Sequence, residues 1–222
     1  MGIAYPASNL VQRLTLSLFA DWQVKGRENV PPMGPLIIVA NHQSNCDPSL
    51  LAVSLKRRIW FLAKDTLFHG PAVTWFLRSY GAFPLHREGA DITAYRWALS
   101  QLGQDRALVL FPEGTRSNGA LQKGGTGVVR LALKTQAPLL PVGITGTERL
   151  GHVARTLMPT GKIRVNIGQV FSLPSVEGKL NTQVQESMVD TIMLRVAALL
   201  PESYQGVYKS QVAGETKAAD SL

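Results

Sequence analysis

The 222-residue sequence predicts a single α/β domain, a mostly parallel mixed sheet with helices on both faces, preceded by an N-terminal amphipathic helix. Three observations lead there. Short apolar runs rich in β-branched and aromatic residues recur along the chain, segments of helical periodicity lie between them, and an apolar content of 45% suffices to bury a core of domain size. Strands that alternate with helices need crossover connections, which make the sheet mostly parallel and cover both of its faces.

The predicted strands are Leu36–Ala40, Ile59–Ala63, Gly81–Leu85, Ala107–Phe111, Leu139–Ile144 and Ile163–Val170. The predicted helices between them are Pro48–Lys56, Pro71–Tyr80, Ala90–Leu102 and Gly125–Gln136. In the third of these Ile92, Tyr95, Leu99 and Leu102 share one face. A further helix, Thr182–Leu200, carries Val184, Met188, Ile192, Val196 and Leu199 on one stripe, and Pro201 stops it. Residues 1–25 are expected to hold the amphipathic helix, with Leu10, Val11, Leu14, Leu18 and Trp22 along one side of Ala7–Val24. That stripe either packs on the sheet or lies in a membrane surface. The α/β domain then occupies residues 26–208, and the small, polar residues 209–222 form an expected disordered tail.

Lys and Arg outnumber Asp and Glu by 23 to 15, a formal net charge of +8, so anionic partners are favoured. Nucleic acid is not expected, because no long Lys/Arg run and no helix-turn-helix, zinc-finger or RNP-like pattern concentrates the charge. An anionic membrane surface or a phosphate-bearing substrate accounts for the same balance. Two basic clusters stand out, Lys56–Arg57–Arg58 and the group Arg149, Arg155, Lys162 and Arg164. No run approaches the roughly 20 apolar residues that a spanning helix needs, and no signal peptide is evident. Cys46, the one cysteine, cannot form an internal disulfide, which fits a reducing compartment. No metal is expected, since His69, His86 and His152 lack ligand spacing.

Chemistry concentrates at strand ends, where ligands sit in parallel sheets. The first strand run is followed by Asn41-His42-Gln43-Ser44-Asn45-Cys46-Asp47-Pro48. His42 and Asp47 are five residues apart, off a shared face of an ideal helix, so they meet only if the residues between them form a turn. Asp47-Pro48 also reads as a helix N-cap with proline at the first helical position. After the fourth run comes Phe111-Pro112-Glu113-Gly114-Thr115-Arg116-Ser117. Gly114 allows close backbone approach to a ligand, and Arg116 offers a forked donor matched to phosphate. The plainer alternative is a turn in which Glu113 pairs with Arg116. Arg87, after the third run, and Gln122-Lys123-Gly124-Gly125 add further basic and backbone donors. Together these residues form one acid–base pair with several phosphate-binding groups.

Taken in order, the blocks resemble the glycerophospholipid acyltransferase family. Asn41 to Asp47 resembles its H-x-x-x-x-D motif, Gly81–Arg87 its second block, Phe111–Ser117 its third, and Ala137–Ile144 its fourth. The resemblance spans Pro35 to Thr147 and makes residues 26–208 an acyltransferase domain. It implies direct transfer of a fatty acyl group from acyl-CoA, or from acyl carrier protein, to the sn-2 hydroxyl of lysophosphatidic acid (1-acylglycerol-3-phosphate). His42 is then the general base and Asp47 its orienting partner, while Arg87, Glu113, Gly114, Thr115, Arg116 and Lys123 bind substrate. Backbone N–H groups near Lys123–Gly125 are candidate oxyanion donors. No cofactor is implied beyond the acyl donor, and the expected location is the cytoplasmic face of a membrane, peripheral or monotopic. Open alternatives are another lysolipid acceptor, a thioesterase using Cys46 as nucleophile, and a non-catalytic lipid-binding protein.

Overall fold

The strands β1 (Ala20–Lys25), β2 (Leu36–Ala40), β3 (Ile59–Lys64), β4 (Ala82–Leu85), β5 (Ala107–Leu110), β6 (Leu139–Thr145) and β7 (Gly161–Ile167) form one sheet. Their spatial order is β1-β7-β6-β2-β5-β3-β4, and every pairing is parallel except β6 with β7. The helices are α1 (Ala4–Phe19), α2 (Asp47–Ser54), α3 (Pro71–Tyr80), α4 (Ile92–Leu102), α5 (Gly127–Thr135), α6 (Thr182–Ala197) and α7 (Lys209–Ala219). This computed structural model describes residues 4–151, 153–156, 158–174 and 181–219.

Both faces of the sheet are covered, which explains why β2 is an unbroken apolar run. Its five residues are all buried, with Leu36, Ile38 and Ala40 in the core shared with α1, α2 and α3, and Ile37 and Val39 in the core shared with α4, α5 and α6. The successive side chains alternate between the two layers, as strand geometry requires.

Four expectations are corrected. Residues 1–25 are not one helix: α1 ends at Phe19 and the chain enters β1, which pairs with β7 in register from Ala20 opposite Gly161 to Lys25 opposite Asn166. Trp22 and Val24 are half-buried between exposed Asp21, Gln23 and Lys25, a period-2 pattern. The side of α1 that packs inward is Tyr5, Gln12 and Leu16, whereas Leu10, Val11, Leu14 and Leu18 face outward. In α4 and α6 the core face includes most of the expected stripe but is wider than it, and the first expected residue of each drops out. Ala94, Ala98, Gln101 and Leu102 are buried in α4 while Ile92 is exposed, and Val189, Ile192, Met193, Val196 and Ala197 are buried in α6 while Val184 is exposed. Small residues let a helix sit close to a sheet, so alanine positions define the contact face as much as the largest apolar ones do. Finally, Lys209–Ala219 is helical where a disordered tail was expected.

Strand direction fixes where a site can form. The carboxyl ends of β6, β2, β5, β3 and β4 share one edge, and β1 and β7, running the other way, begin at that edge. Since α1 feeds directly into β1, its C-terminal end also reaches this edge.

Candidate active site

Asp47 is the first residue of α2 and is fully buried. Isolated burial of a carboxylate is costly, and four donors offset it here. Asp47 Oδ2 accepts from the backbone N–H groups of Gln43 at 2.7 Å and Ser44 at 2.8 Å and lies 2.8 Å from His42 Nδ1, while Oδ1 accepts from Thr147 Oγ1 at 2.7 Å. The loop between β2 and α2 turns tightly enough to bring positions 42 and 47 together, with Asp47 N donating to Ser44 O at 3.1 Å. A carboxylate only accepts, so His42 Nδ1 carries the hydrogen and Nε2 holds the free lone pair.

The His42 ring is further fixed by stacking on Phe111, centroid to centroid 4.2 Å at 23°. Its backbone is held by the loop after β5. His42 N donates to Glu113 Oε1 at 2.8 Å, and His42 O accepts from Ser117 N at 2.7 Å and Ser117 Oγ at 3.1 Å. Asn41 ties the other flank, donating through Nδ2 to Ile144 O at 2.8 Å and accepting from Ile144 N at 2.7 Å. The histidine is therefore positioned by β2, β5 and β6 at once.

Glu113 does not pair with Arg116. Its Oε2 accepts from Gln122 N at 3.0 Å, so the buried carboxylate spans two loop segments. Burial pushes the Glu113 carboxyl above its ordinary value, against the opposing pull of the His42 and Gln122 N–H groups. Arg116, Thr115 and Gly114 form the exposed tip of the loop, where Gly114 adopts a φ of 67°. Arg87 lies at the same edge beyond β4, three strand spacings or about 14 Å from β2. The side chains of Arg87, Arg116 and Lys123 are exposed and make no hydrogen bond or ion pair among the described residues. Of the candidate oxyanion donors, Gly125 N is already committed to Pro112 O at 2.8 Å.

The thiol of Cys46 is fully buried, and burial, with the Asp47 charge second, pushes it up to about 12. Its nearest polar side-chain partner is Ser49 Oγ at 3.9 Å, not the His42 ring. Such a sulfur is neither ionised near neutrality nor reachable, which removes the observation that a cysteine mechanism would need. Among the described residues no group of three His, Cys, Asp or Glu side chains could share a metal ion, and His152 lies outside them.

Residues 21–145 match the family model described as Acyltransferase. The chain belongs to that family. It is 29% identical over 171 residues to the 1-acyl-sn-glycerol-3-phosphate acyltransferase of Streptococcus pneumoniae, covering 76% of this chain and 62% of that one. The Bacillus subtilis protein of the same name is 28% identical, with 71% of this chain and 77% of the relative covered. The chain spans only 40% of a chloroplastic relative of that name from Brassica napus. The crystal structure of the 1-acyl-sn-glycerophosphate acyltransferase PlsC from Thermotoga maritima superposes with a TM-score of 0.68 at 29% identity, covering 86% of this chain and 76% of that one.

Two members of the site were missed in the sequence. Thr147 reaches Asp47 from 100 positions away, and Phe111 was read as the end of a strand and the start of the third block, with no role of its own. The fourth motif block, Ala137–Ile144, leads directly to Thr147, and that proximity was the available signal.

Two predictions follow from the buried carboxylates. Thr147→Val keeps the side-chain volume but strands Asp47 Oδ1, so it should cost about 1–3 kcal/mol in chemical denaturation. For Glu113 the folded protein favours the protonated form, so ionisation costs stability as pH rises from the ordinary carboxyl value of 4.5 through the raised folded one. Denaturation curves of wild type and Glu113→Gln across that window should show the difference moving in favour of the glutamine variant as pH increases. A constant difference would mean that Glu113 titrates normally.

Proposed function

We propose that this chain transfers a fatty acyl group from acyl-CoA or acyl carrier protein to the sn-2 hydroxyl of lysophosphatidic acid, giving phosphatidic acid. The observation that carries the reading is the His42–Asp47 pair, with Nδ1 committed to a buried carboxylate and Nε2 left as the free base. Nε2 takes the proton of the acceptor hydroxyl as its oxygen forms a bond to the thioester carbonyl. Collapse of the tetrahedral intermediate breaks the C–S bond, and the imidazolium returns the proton to the leaving thiolate. Asp47 holds the tautomer and stabilises the imidazolium. The names of the relatives support lysophosphatidic acid as the acceptor, and the uncommitted cations Arg116, Arg87 and Lys123 at the same edge suit its phosphate, with Glu113, Gly114 and Thr115 shaping the loop that presents Arg116.

The test is a panel of lysolipids supplied with acyl-CoA, read by CoA release and by the lipid product. Lysophosphatidic acid should be the preferred acceptor, and preference for another lysolipid would reassign it. His42→Ala should lose about 100- to 10,000-fold in turnover in a variant that still folds. Arg116→Lys keeps the charge but not the two-pronged grip, so it should impair lysophosphatidic acid more than monoacylglycerol. Equal losses on both acceptors would place Arg116 outside the phosphate site.

The acceptor is a lipid and no described helix is long and apolar enough to cross a membrane, so the enzyme is proposed to act peripherally at the cytoplasmic face of an anionic membrane. Support comes from an apolar platform built by two helices. Leu10, Val11, Leu14 and Leu18 of α1 and Val73, Trp75 and Phe76 of α3 are exposed, Leu18 by 73% and Trp75 by 66%. The helices are joined through Tyr80, whose hydroxyl donates to Asn9 Oδ1 at 2.8 Å and whose ring lies 5.1 Å from that of Tyr5. Neither helix contains an acidic residue. Exposed Arg149, 3.7 Å from Glu148, and Arg155 lie on a segment tied to α1 by Gln12 Nε2 donating to Thr156 O at 3.1 Å.

The other expected cluster does not contribute. Lys56–Arg58 precedes β3 at the opposite edge, with Arg57 bonded to the carbonyls of Pro31, Gly34 and Asp105 and Arg58 to that of Ser79 and over the rings of Tyr5 and Trp60. Arg164 is paired with Asp21.

Wild type should co-sediment with vesicles containing phosphatidylglycerol, less strongly at high salt but still measurably, because screening over about 8 Å weakens only the charged contribution. Leu14→Asp with Leu18→Asp, and separately Trp75→Ser, should each weaken binding. Wild-type binding by both variants would place the lipid contact elsewhere.

A further inference from the structure

The segment between α6 and α7, residues 201–208, lies outside residues 21–145 that match the family model, yet it is wired to the catalytic loop. Leu121 N donates to Tyr204 O at 2.9 Å and Leu121 O accepts from Val207 N at 3.2 Å, so both backbone polar groups of one buried residue are taken by this segment. Gly206 makes the contact attainable: it adopts a φ of 53°, and a Cβ there would stand 2.0 Å from Leu121 O and 2.6 Å from Leu121 N. The next residue along the loop, Gln122, is the one whose N–H reaches Glu113 Oε2, and Glu113 Oε1 in turn accepts from His42 N.

The segment itself is anchored on two further elements. Tyr204 donates its hydroxyl to Glu148 Oε1 at 3.0 Å after β6, and Tyr208 donates to Asp190 Oδ1 at 3.0 Å on α6. Gln205 Nε2 closes the turn onto Leu200 O at 3.1 Å. The far end of the loop is clamped as well, because a Cβ on Gly124 would meet Val189 Cγ1 of α6 at 2.7 Å. Loop 118–125 is thus held by the C-terminal part of the chain.

We propose that residues 201–208 form a strap that positions the catalytic histidine: by seating Leu121, the strap sets Gln122 N against Glu113, which holds the His42 backbone. Gly206 is the positioning residue on which the contact turns. A histidine displaced by a fraction of an ångström loses alignment with the hydroxyl it must deprotonate, so the strap acts on turnover more than on substrate affinity. The proposal deepens the acyl-transfer reading and rests on it only where turnover is measured.

The decisive experiment is a double-variant cycle on the full chain, combining Gly206→Ala with Glu113→Gln, together with amide hydrogen exchange. Gly206→Ala must lift the strap from Leu121, so kcat should fall by about 10- to 100-fold while KM changes by less than about threefold. In the Glu113→Gln background, where the link is already weakened, the same substitution should cost less than about twofold more. The Gln122 and His42 amides should exchange about tenfold faster or more in Gly206→Ala, with those of Val39 and Val142 unchanged. If Gly206→Ala does not fold, Tyr204→Phe combined with Tyr208→Phe loosens the same anchors without adding volume, and the same pattern should appear at smaller amplitude. Equal fold-losses in both backgrounds, or unchanged exchange at Gln122 and His42 in a folded variant, would overturn the strap. Should wild type transfer no acyl group, the acyl-transfer reading fails on its own, and the exchange measurements still decide whether the strap holds the loop.

Discussion

The burial of the Asp47 carboxylate is the constraint around which this site is built. A charged group removed from water must recover its hydration from protein donors, and here they come from a backbone turn, a distant hydroxyl and an imidazole. Two backbone N–H groups, from Gln43 and Ser44, require the chain to turn sharply on leaving β2. The hydroxyl of Thr147 requires the end of β6 to stand beside the start of α2. The His42 ring takes the remaining direction, which determines its tautomer and leaves Nε2 as the atom facing chemistry. The five-residue spacing of histidine and aspartate, awkward on a helix, is the length of turn that lets one carboxylate collect all of these donors.

Glu113 repeats the logic one loop away with a different outcome. It has fewer compensating donors than Asp47, the backbone N–H groups of His42 and Gln122 with the Ser117 hydroxyl, and burial outweighs their pull on its carboxyl. The two acids therefore divide the labour. Asp47 orients the imidazole, and Glu113 holds the backbone that carries it. Because neither acid is neutralised by a guanidinium, Arg116 remains available to an incoming anion. Had Glu113 paired with Arg116, as local spacing suggested, the guanidinium donors would have been taken up within the loop itself.

What was legible in the sequence follows from what is local. The central strand Leu36–Ala40 and the helix Pro71–Tyr80 have the expected bounds, because an apolar run buried on both faces and a helix opened by proline and closed before glycine carry their own signals. The strand β1 was hidden because Leu18 and Trp22 stand four apart, as on a helix, and no glycine or proline marks the change at Ala20. Its period-2 alternation becomes decisive only with β7 alongside. At the site, His42, Asp47 and Glu113 were visible as residue types, but the partners of Glu113 were not, since a carboxylate that binds backbone leaves no mark on the residues it binds. Thr147 and the Leu121–Val207 pairing depend on contacts across roughly 100 residues and across the length of α6, which no window of local sequence contains.

Net charge gives the sign of the protein's field but not its direction, and here direction governs how an anionic lipid would approach. The two arginines before β3 are engaged at the edge away from the site, where Arg57 binds three carbonyls and Arg58 stacks over two rings. Those at the carboxyl edge, Arg87, Arg116 and Lys123, keep their donors free, and Arg149 and Arg155 stand exposed at the end of β6. Exposed cations therefore stand at the edge where His42 Nε2 is presented and where the outward face of α1 ends at Leu18. Exposed apolar side chains next to cations form the combination that a headgroup boundary accommodates, acyl chains against one and phosphates against the other. A lysolipid lying in such a boundary has its phosphate at the level of the cations and its free hydroxyl a few bonds away. If the protein docked in this orientation, as proposed, a lysolipid would be carried toward the imidazole without being removed fully from the membrane.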